Sequence, residues 1–152
     1  MRELKVVFGN HRIKNKEKLP LKEVQSKPNV IFNKPANKYY TYILVDPDAP
    51  YRNEPTYKHV LHWLVVNVSN DEKTQTIVDK FRPSSPPAPR NQGESNEHRY
   101  FFYLFEQPSL IEVPEQKRMK FNLDQFIRKY KLKPIRSVMY RTESETPTGT
   151  KY

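Results

Sequence analysis

Short apolar runs alternate along this chain with polar connections that carry most of its prolines, and most of the runs have the length of a strand. Leu4, Val6 and Phe8 recur at every second position, the period of a strand with one buried face. Gly9-Asn10 then supplies a turn toward a return strand near Ile13. Val30 to Phe32, just after Pro28, predicts a further short strand, and Tyr39 to Val45 predicts a longer one. Val60 to Val68 is apolar on both parities, as expected of an interior strand covered on both faces. Tyr100 to Phe105 reads the same way, led in by His98-Arg99 and followed by Glu106-Gln107.

One helical period is present, at Leu123, Phe126, Ile127 and Tyr130. Asn122 is a suitable N-cap, Gln125 stands at the capping-box position, and Phe121 and Phe126 are spaced as a hydrophobic staple. The spacing predicts a short helix over 122–131, followed by Pro134 and a last strand from Ile135 to Tyr140. Phe81 to Glu97 has no periodicity and reads as a long loop, of a length that is often functional or mobile. The expectation is one mainly β domain over residues 1–141, with a flexible tail over 142–152.

Composition narrows the function classes. The 152 residues include 27 Lys and Arg against 17 Asp and Glu, a formal net charge of +10. That balance favours anionic partners such as phosphate groups, an acidic membrane surface or nucleic acid. The basic residues read as spread through loops and both ends, with most of the charge serving solvation. No basic helix or interleaved stacking motif stands out, which argues against nucleic acid. Without cysteine there is neither a disulfide nor a thiolate zinc site. No signal-peptide pattern opens the chain, and no apolar run approaches the roughly 20 residues of a membrane helix. A soluble, cytoplasmic protein is the expectation. Only three glycines are present, so most phosphate-cradling and dinucleotide motifs are excluded, and neither Gly-x-Ser-x-Gly nor His-Glu-x-x-His occurs. An enzyme of a common class is therefore not expected, and a hydrolase built on histidines and aspartates is the lesser reading.

The candidate chemistry begins at Asp46-Pro47-Asp48-Ala49-Pro50, where a strand ends in two carboxylates between prolines. Each proline fixes its own φ and steers the preceding residue toward extended backbone, so the corner is stiff. Two such carboxylates could bind a metal, form an acid/base pair, or accept hydrogen bonds from buried backbone and arginine. His62 lies within an apolar run, on the parity of Val60, Leu64 and Val66, and reads equally as a buried neutral histidine with a hydrogen-bond partner. His59 lies on the opposite parity, and with His11 reads as a surface residue. His98 shares its parity with Tyr100, Phe102 and Leu104, while Arg99 faces the other way. If the three strands are neighbours, Asp46, His62 and His98 converge on one pocket.

These segments, Asp46 to Pro50, His62-Trp63-Leu64-Val65-Val66-Asn67 and His98-Arg99-Tyr100 through Phe105-Glu106-Gln107, resemble the signature regions of the phosphatidylethanolamine-binding protein family. That family includes the Raf kinase inhibitor proteins and the plant flowering-time regulators. The resemblance extends from about Leu4 to Arg141 and takes in the helix at Phe121 to Leu132. It implies a large antiparallel sheet packed against a smaller one, with short peripheral helices. It implies a non-enzymatic binding and regulatory protein without cofactor or metal, with a small surface pocket for phosphoryl-type anions, including phospholipid headgroups, lined or supported by Asp46, Asp48, Pro50, Tyr57, His62, His98 and Tyr100. Pro86 and Pro87 resemble its proline-bearing rim, and Ala49-Pro50 would be a cis peptide. Both histidines would donate hydrogen bonds to phosphate oxygens, the more so once protonated, while the aspartates set their tautomers and hold the loop. The partners implied are a phosphoryl ligand or phospholipid headgroup and a protein kinase or other signalling protein. The alternative is a peripheral phospholipid-binding protein. The chain departs from the family in four places, one of them an N-terminus that starts late. Val60 stands where animal members carry a tryptophan. The 87–98 loop is longer than usual and could cover the mouth. The C-terminus lacks a convincing closing helix, which would leave the pocket more open.

Overall fold

The computed structural model describes residues 3–91 and 93–145, and within them nine strands form two sheets. The smaller has the order β2-β1-β4, from β1 (Leu4–Phe8), β2 (His11–Arg12) and β4 (Asn29–Phe32). The larger has the order β3-β9-β8-β5-β6-β7. It comprises β3 (Glu17–Lys18), β5 (Tyr39–Asp46), β6 (Val60–Val68), β7 (Thr76–Asp79), β8 (His98–Gln107) and β9 (Lys133–Thr142). All its pairings are antiparallel except the short β3–β9 contact. This is the large-on-small mainly β architecture that the pattern and the resemblance imply.

Hydrophobic burial explains the layering. One face of the large sheet, with Tyr40, Leu44, Trp63, Tyr100, Phe102 and Leu104, shares a core with Leu4, Val6, Phe8 and Phe32 of the small sheet. The opposite face, with Ile43, Val45, Leu61, Leu64, Val66 and Phe105, is covered by Phe121, Leu123, Phe126 and Leu132. That double cover is why β6 is buried at all nine positions. Each such aliphatic or aromatic side chain contributes about 1.5–3 kcal/mol when fully removed from water.

The helix α1 spans Leu123–Lys129, and the Asn122 side chain accepts from the Gln125 amide at 3.0 Å. The Phe121 and Phe126 rings meet at 5.4 Å, closing the staple. Two strands have no counterpart in the periodicity, β3 and β7, because two- and four-residue strands are too short to show a period, and the 3-10 turns Leu21–Val24 and Glu72–Thr74 are shorter than a helical period as well. The last strand also runs past Tyr140 to Thr142, which is fully buried, and Glu143 pairs with Lys18 at 2.8 Å. The remainder of the predicted tail, from 146 onward, lies outside the described residues.

Candidate functional site

β5 lies between β8 and β6, so the end of β5, the start of β8 and the early part of β6 are neighbours. The convergence of Asp46, His98 and His62 therefore has its topological condition met. The placement of His62 has a cause that parity alone misses. Leu44 pairs with Trp63 and Val45 with Leu61, leaving His62 as an extra residue on β6, a β-bulge. Beyond it the alternation slips by one. Leu64 and Val66 turn to the helix-covered face, whereas the His62 ring meets Tyr100 edge-on at 5.4 Å on the face shared with the small sheet. His62 is thus on the side of Trp63 and Tyr100, and not on that of Leu64 and Val66.

The acidic corner is held by its own side chains. Asp46 Oδ1 accepts from the Asp48 amide at 2.7 Å, and Oδ2 accepts from His98 Nδ1 at 2.7 Å. His98 Nε2 lies 3.1 Å from the Pro50 carbonyl. Both His98 nitrogens thus lie within hydrogen-bonding distance of acceptors inside the protein. Asp48 takes a different partner: Arg99 reaches it through Nε at 2.9 Å and Nη2 at 2.8 Å, and the Arg99 amide adds a third bond at 2.8 Å. Burial pushes the Asp48 carboxyl up, but the bonds from Arg99 outweigh it and hold it below the usual range. Asp46 therefore orients a histidine, as the resemblance implies, while Asp48 orients an arginine. Ala49-Pro50 is cis, and so is Lys58-His59.

His62 is almost enclosed. Its Nδ1 donates to the Arg82 carbonyl at 2.8 Å, and its own carbonyl accepts from the Arg82 amide at 2.8 Å. Those two bonds dock the start of the 81–97 loop onto the bulge. Desolvation lowers the His62 pKa, more than the Arg82 carbonyl raises it. In the resulting neutral ring Nδ1 carries the proton and Nε2 is a lone pair. Beside it Tyr100 is fully buried, and its hydroxyl makes no well-formed hydrogen bond among the described residues, although Ser84 and the Ser85 backbone lie close enough to act on its oxygen. Burial, followed by the nearby Asp46, pushes that phenol far above its ordinary value, against the opposing effect of Ser84 and the Ser85 backbone. His62 Nε2 as an acceptor and the Tyr100 hydroxyl as a donor therefore keep unused capacity, close to Asp46 and Ser84.

The other candidate residues spread around this centre. Pro50 supplies a carbonyl and Pro86 is buried, whereas Pro87 is exposed and contributes its backbone oxygen. Tyr57 donates its amide to the Ala49 carbonyl at 3.0 Å, but its ring is 40% exposed. Asn96 is a connection that the sequence did not suggest. It donates to the Pro50 carbonyl at 3.0 Å and to the Pro87 carbonyl at 2.9 Å, and accepts from the Arg52 amide at 3.0 Å. Through this residue the 87–98 loop closes over the corner. With His62, His98 and Tyr100 at 3%, 1% and 0% exposure, the centre is more covered than the expected open pocket. Nothing in a polar loop residue marks such a clip, since its partners lie up to 46 positions away.

Comparison with known proteins follows the same lines. A family model described as phosphatidylethanolamine-binding protein matches residues 9–140. A phosphatidylethanolamine-binding protein homolog of Acanthamoeba polyphaga mimivirus is 39% identical over 150 residues, covering 93% of this chain and 97% of its own. Protein FLOWERING LOCUS T of Arabidopsis thaliana is 31% identical over 150 residues, covering 96% of this chain and 82% of its own. The carboxypeptidase Y inhibitor, solved with its cognate proteinase, superposes with a TM-score of 0.80 over 93% of this chain and 83% of its own. At 17% identity that likeness speaks for the fold alone. Fold, signature segments and relatives agree: the chain belongs to the phosphatidylethanolamine-binding protein family.

Proposed function

We propose that the His62–Tyr100 centre recognises a phosphoryl-type anion, and that the protein is a non-enzymatic binding module whose occupancy modulates a protein partner. The observation that carries this reading is the pair of unused polar groups, His62 Nε2 and the Tyr100 hydroxyl, next to a corner fixed by Asp46, His98 and Pro50. The geometry favours recognition over turnover. The acids are already engaged, Asp46 with His98 and Asp48 with Arg99. A role toward another protein has a precedent in the fold, since the carboxypeptidase Y inhibitor is found on its proteinase.

The division of labour between the histidines differs from a simple two-donor clamp. His98 spends both nitrogens inside the protein, so it braces the corner. His62 alone keeps a free nitrogen, and in its neutral form that atom accepts. A phosphomonoester must then arrive as the monoanion, donating its P–OH to Nε2, or the ring must take up a proton as the dianion binds. Either route consumes one proton, so affinity rises as pH falls toward the phosphate's second pKa of about 6. Tyr100 donates its hydroxyl to another phosphate oxygen.

Titration with phosphoethanolamine and with O-phosphoserine, read by long-range proton–nitrogen spectra of the histidines, tests this. His62 Nε2 is expected to move and His98 to stay. His62→Ala is expected to abolish the response while the hydrogen bond from His98 Nδ1 to Asp46 persists. A silent His62 at millimolar ligand would sink the reading.

A further inference from the structure

The charge of this molecule is more concentrated than a spread through loops and both ends. Between Lys117 and Arg136 stand eight Lys or Arg against Asp124 alone, a net of +7 out of +10 for the whole chain. Arg118 turns inward, donating to the Leu61 and Lys80 carbonyls, and the other seven are exposed. Three of them meet. Lys117, Lys120 and Lys129 line one hollow of about 300 Å³ together with Asn122, Gln125 and Tyr130. None of the three makes an ion pair among the described residues. Ammonium groups facing one hollow repel each other, and an anion placed between them lowers that energy.

Its walls are fixed by backbone. Lys120 donates its amide to the Tyr57 carbonyl at 3.1 Å, Phe121 to His59 at 2.8 Å, and Leu61 to Arg118 at 2.8 Å. Lys120 itself holds φ at 56°, in a region that non-glycine residues seldom occupy. On the opposite wall Lys129 lies over the Tyr130 ring at 5.5 Å. Asp124 belongs to the neighbouring hollow, with Lys58, His59 and Lys120, which leaves the Lys117–Lys129 side free of carboxylate. Met119, between Lys117 and Lys120 in the chain, is 48% exposed. An apolar side chain among cations suits a bilayer surface, where the sulfur-bearing chain enters the interface and the cations remain at phosphate depth.

We propose that this hollow is a second anion site, on the opposite face of the large sheet from the Tyr100 side, and that it takes a multiply phosphorylated polyol headgroup. Three ammonium groups match two or three phosphates. The amides of Asn122 and Gln125 and the Tyr130 hydroxyl suit ring hydroxyls, and the volume exceeds that of a lone phosphate. The headgroup can come free in solution or on a lipid.

Titration of the full chain with inositol trisphosphate, followed by amide spectra, tests the site. The Lys117, Lys120 and Lys129 amides are expected to shift saturably while the His62 ring is unmoved, which separates this site from the His62 centre. Lys117→Glu and Lys129→Gln, both at exposed positions, are expected to weaken binding about fivefold each. Vesicles of phosphatidylcholine with phosphatidylinositol bisphosphate, set against vesicles with phosphatidylserine at equal charge, decide the source: bisphosphate-selective capture assigns the lipid, and binding of the soluble headgroup without capture assigns the free form. No saturable shift, unchanged affinity in both variants, or equal capture by the phosphatidylserine vesicles would overturn the proposal.

Discussion

Asp46 is the residue on which the corner depends most. Its two oxygens satisfy the Asp48 amide and the His98 ring at once, and it is 2% exposed. Asp46→Ala would strand both donors in an apolar setting, a situation that costs about 3 kcal/mol. Thermal melting should fall by about 10 °C for a chain of this size, and urea titration should show the lowered midpoint with an unchanged slope. Asp46→Asn retains one acceptor and should lose less. A loss for Asp46→Ala no larger than that of a typical surface substitution would contradict this account of the corner.

At the scale of elements, two irregularities do the positioning. The bulge at His62 turns the ring to Tyr100, and the Asn96 clip draws the long loop onto the corner. A second irregularity in β6 brings Asn67, at φ 60°, against Gln107, whose side chain accepts from the Asn67 amide at 2.8 Å and from Thr41 at 2.6 Å. This buried polar knot closes the far end of the same strands. Asn96→Ala removes three hydrogen bonds at the loop and should cost about 1–3 kcal/mol. Hydrogen exchange is the better measure: the Arg52 amide, which donates to Asn96, should exchange faster, while amides of β5 and β8 keep their protection. Uniform acceleration across the sheet would mean that the clip supports the whole fold and not the loop alone.

For the whole molecule the buried titratable groups push mostly one way. Burial lowers the His62 and His59 pKa values from an ordinary 6.5, so the unfolded chain takes up protons there before the folded one does. Stability from these groups is complete above pH 6.5 and declines as pH falls through the folded values. Asp48 and Glu97 are also lowered, burial being outweighed by Arg99 and by Arg141 with Lys18, and their contribution is lost below about pH 4. Asp79, raised by burial, acts in the opposite direction. Melting temperature should therefore drop in two stages, the first beginning as pH falls below about 6.5 and the second below about pH 4. Phosphoethanolamine should reduce the first stage by supplying His62 Nε2 with a partner; a first stage unchanged in His62→Ala would reassign it to His59.

The sequence by itself determined the strands that are long enough to show a period, the capped helix with its staple, and the stiffness of the Asp46–Pro50 corner. These are local properties: apolar period, proline geometry and capping chemistry act over a few residues. It also marked His62 and His98 as polar groups in apolar runs, and their motifs carried the family. Tertiary structure alone decided which way His62 points, because one extra residue on β6 overrides its parity. It decided that Asp48 serves Arg99 and that His98 is spent on Asp46 and Pro50, since those pairings join segments about 50 positions apart. It gathered Lys117, Lys120 and Lys129 into one hollow, where the sequence read as a diffuse positive charge. Long-range pairing sets these outcomes, and no local period encodes it.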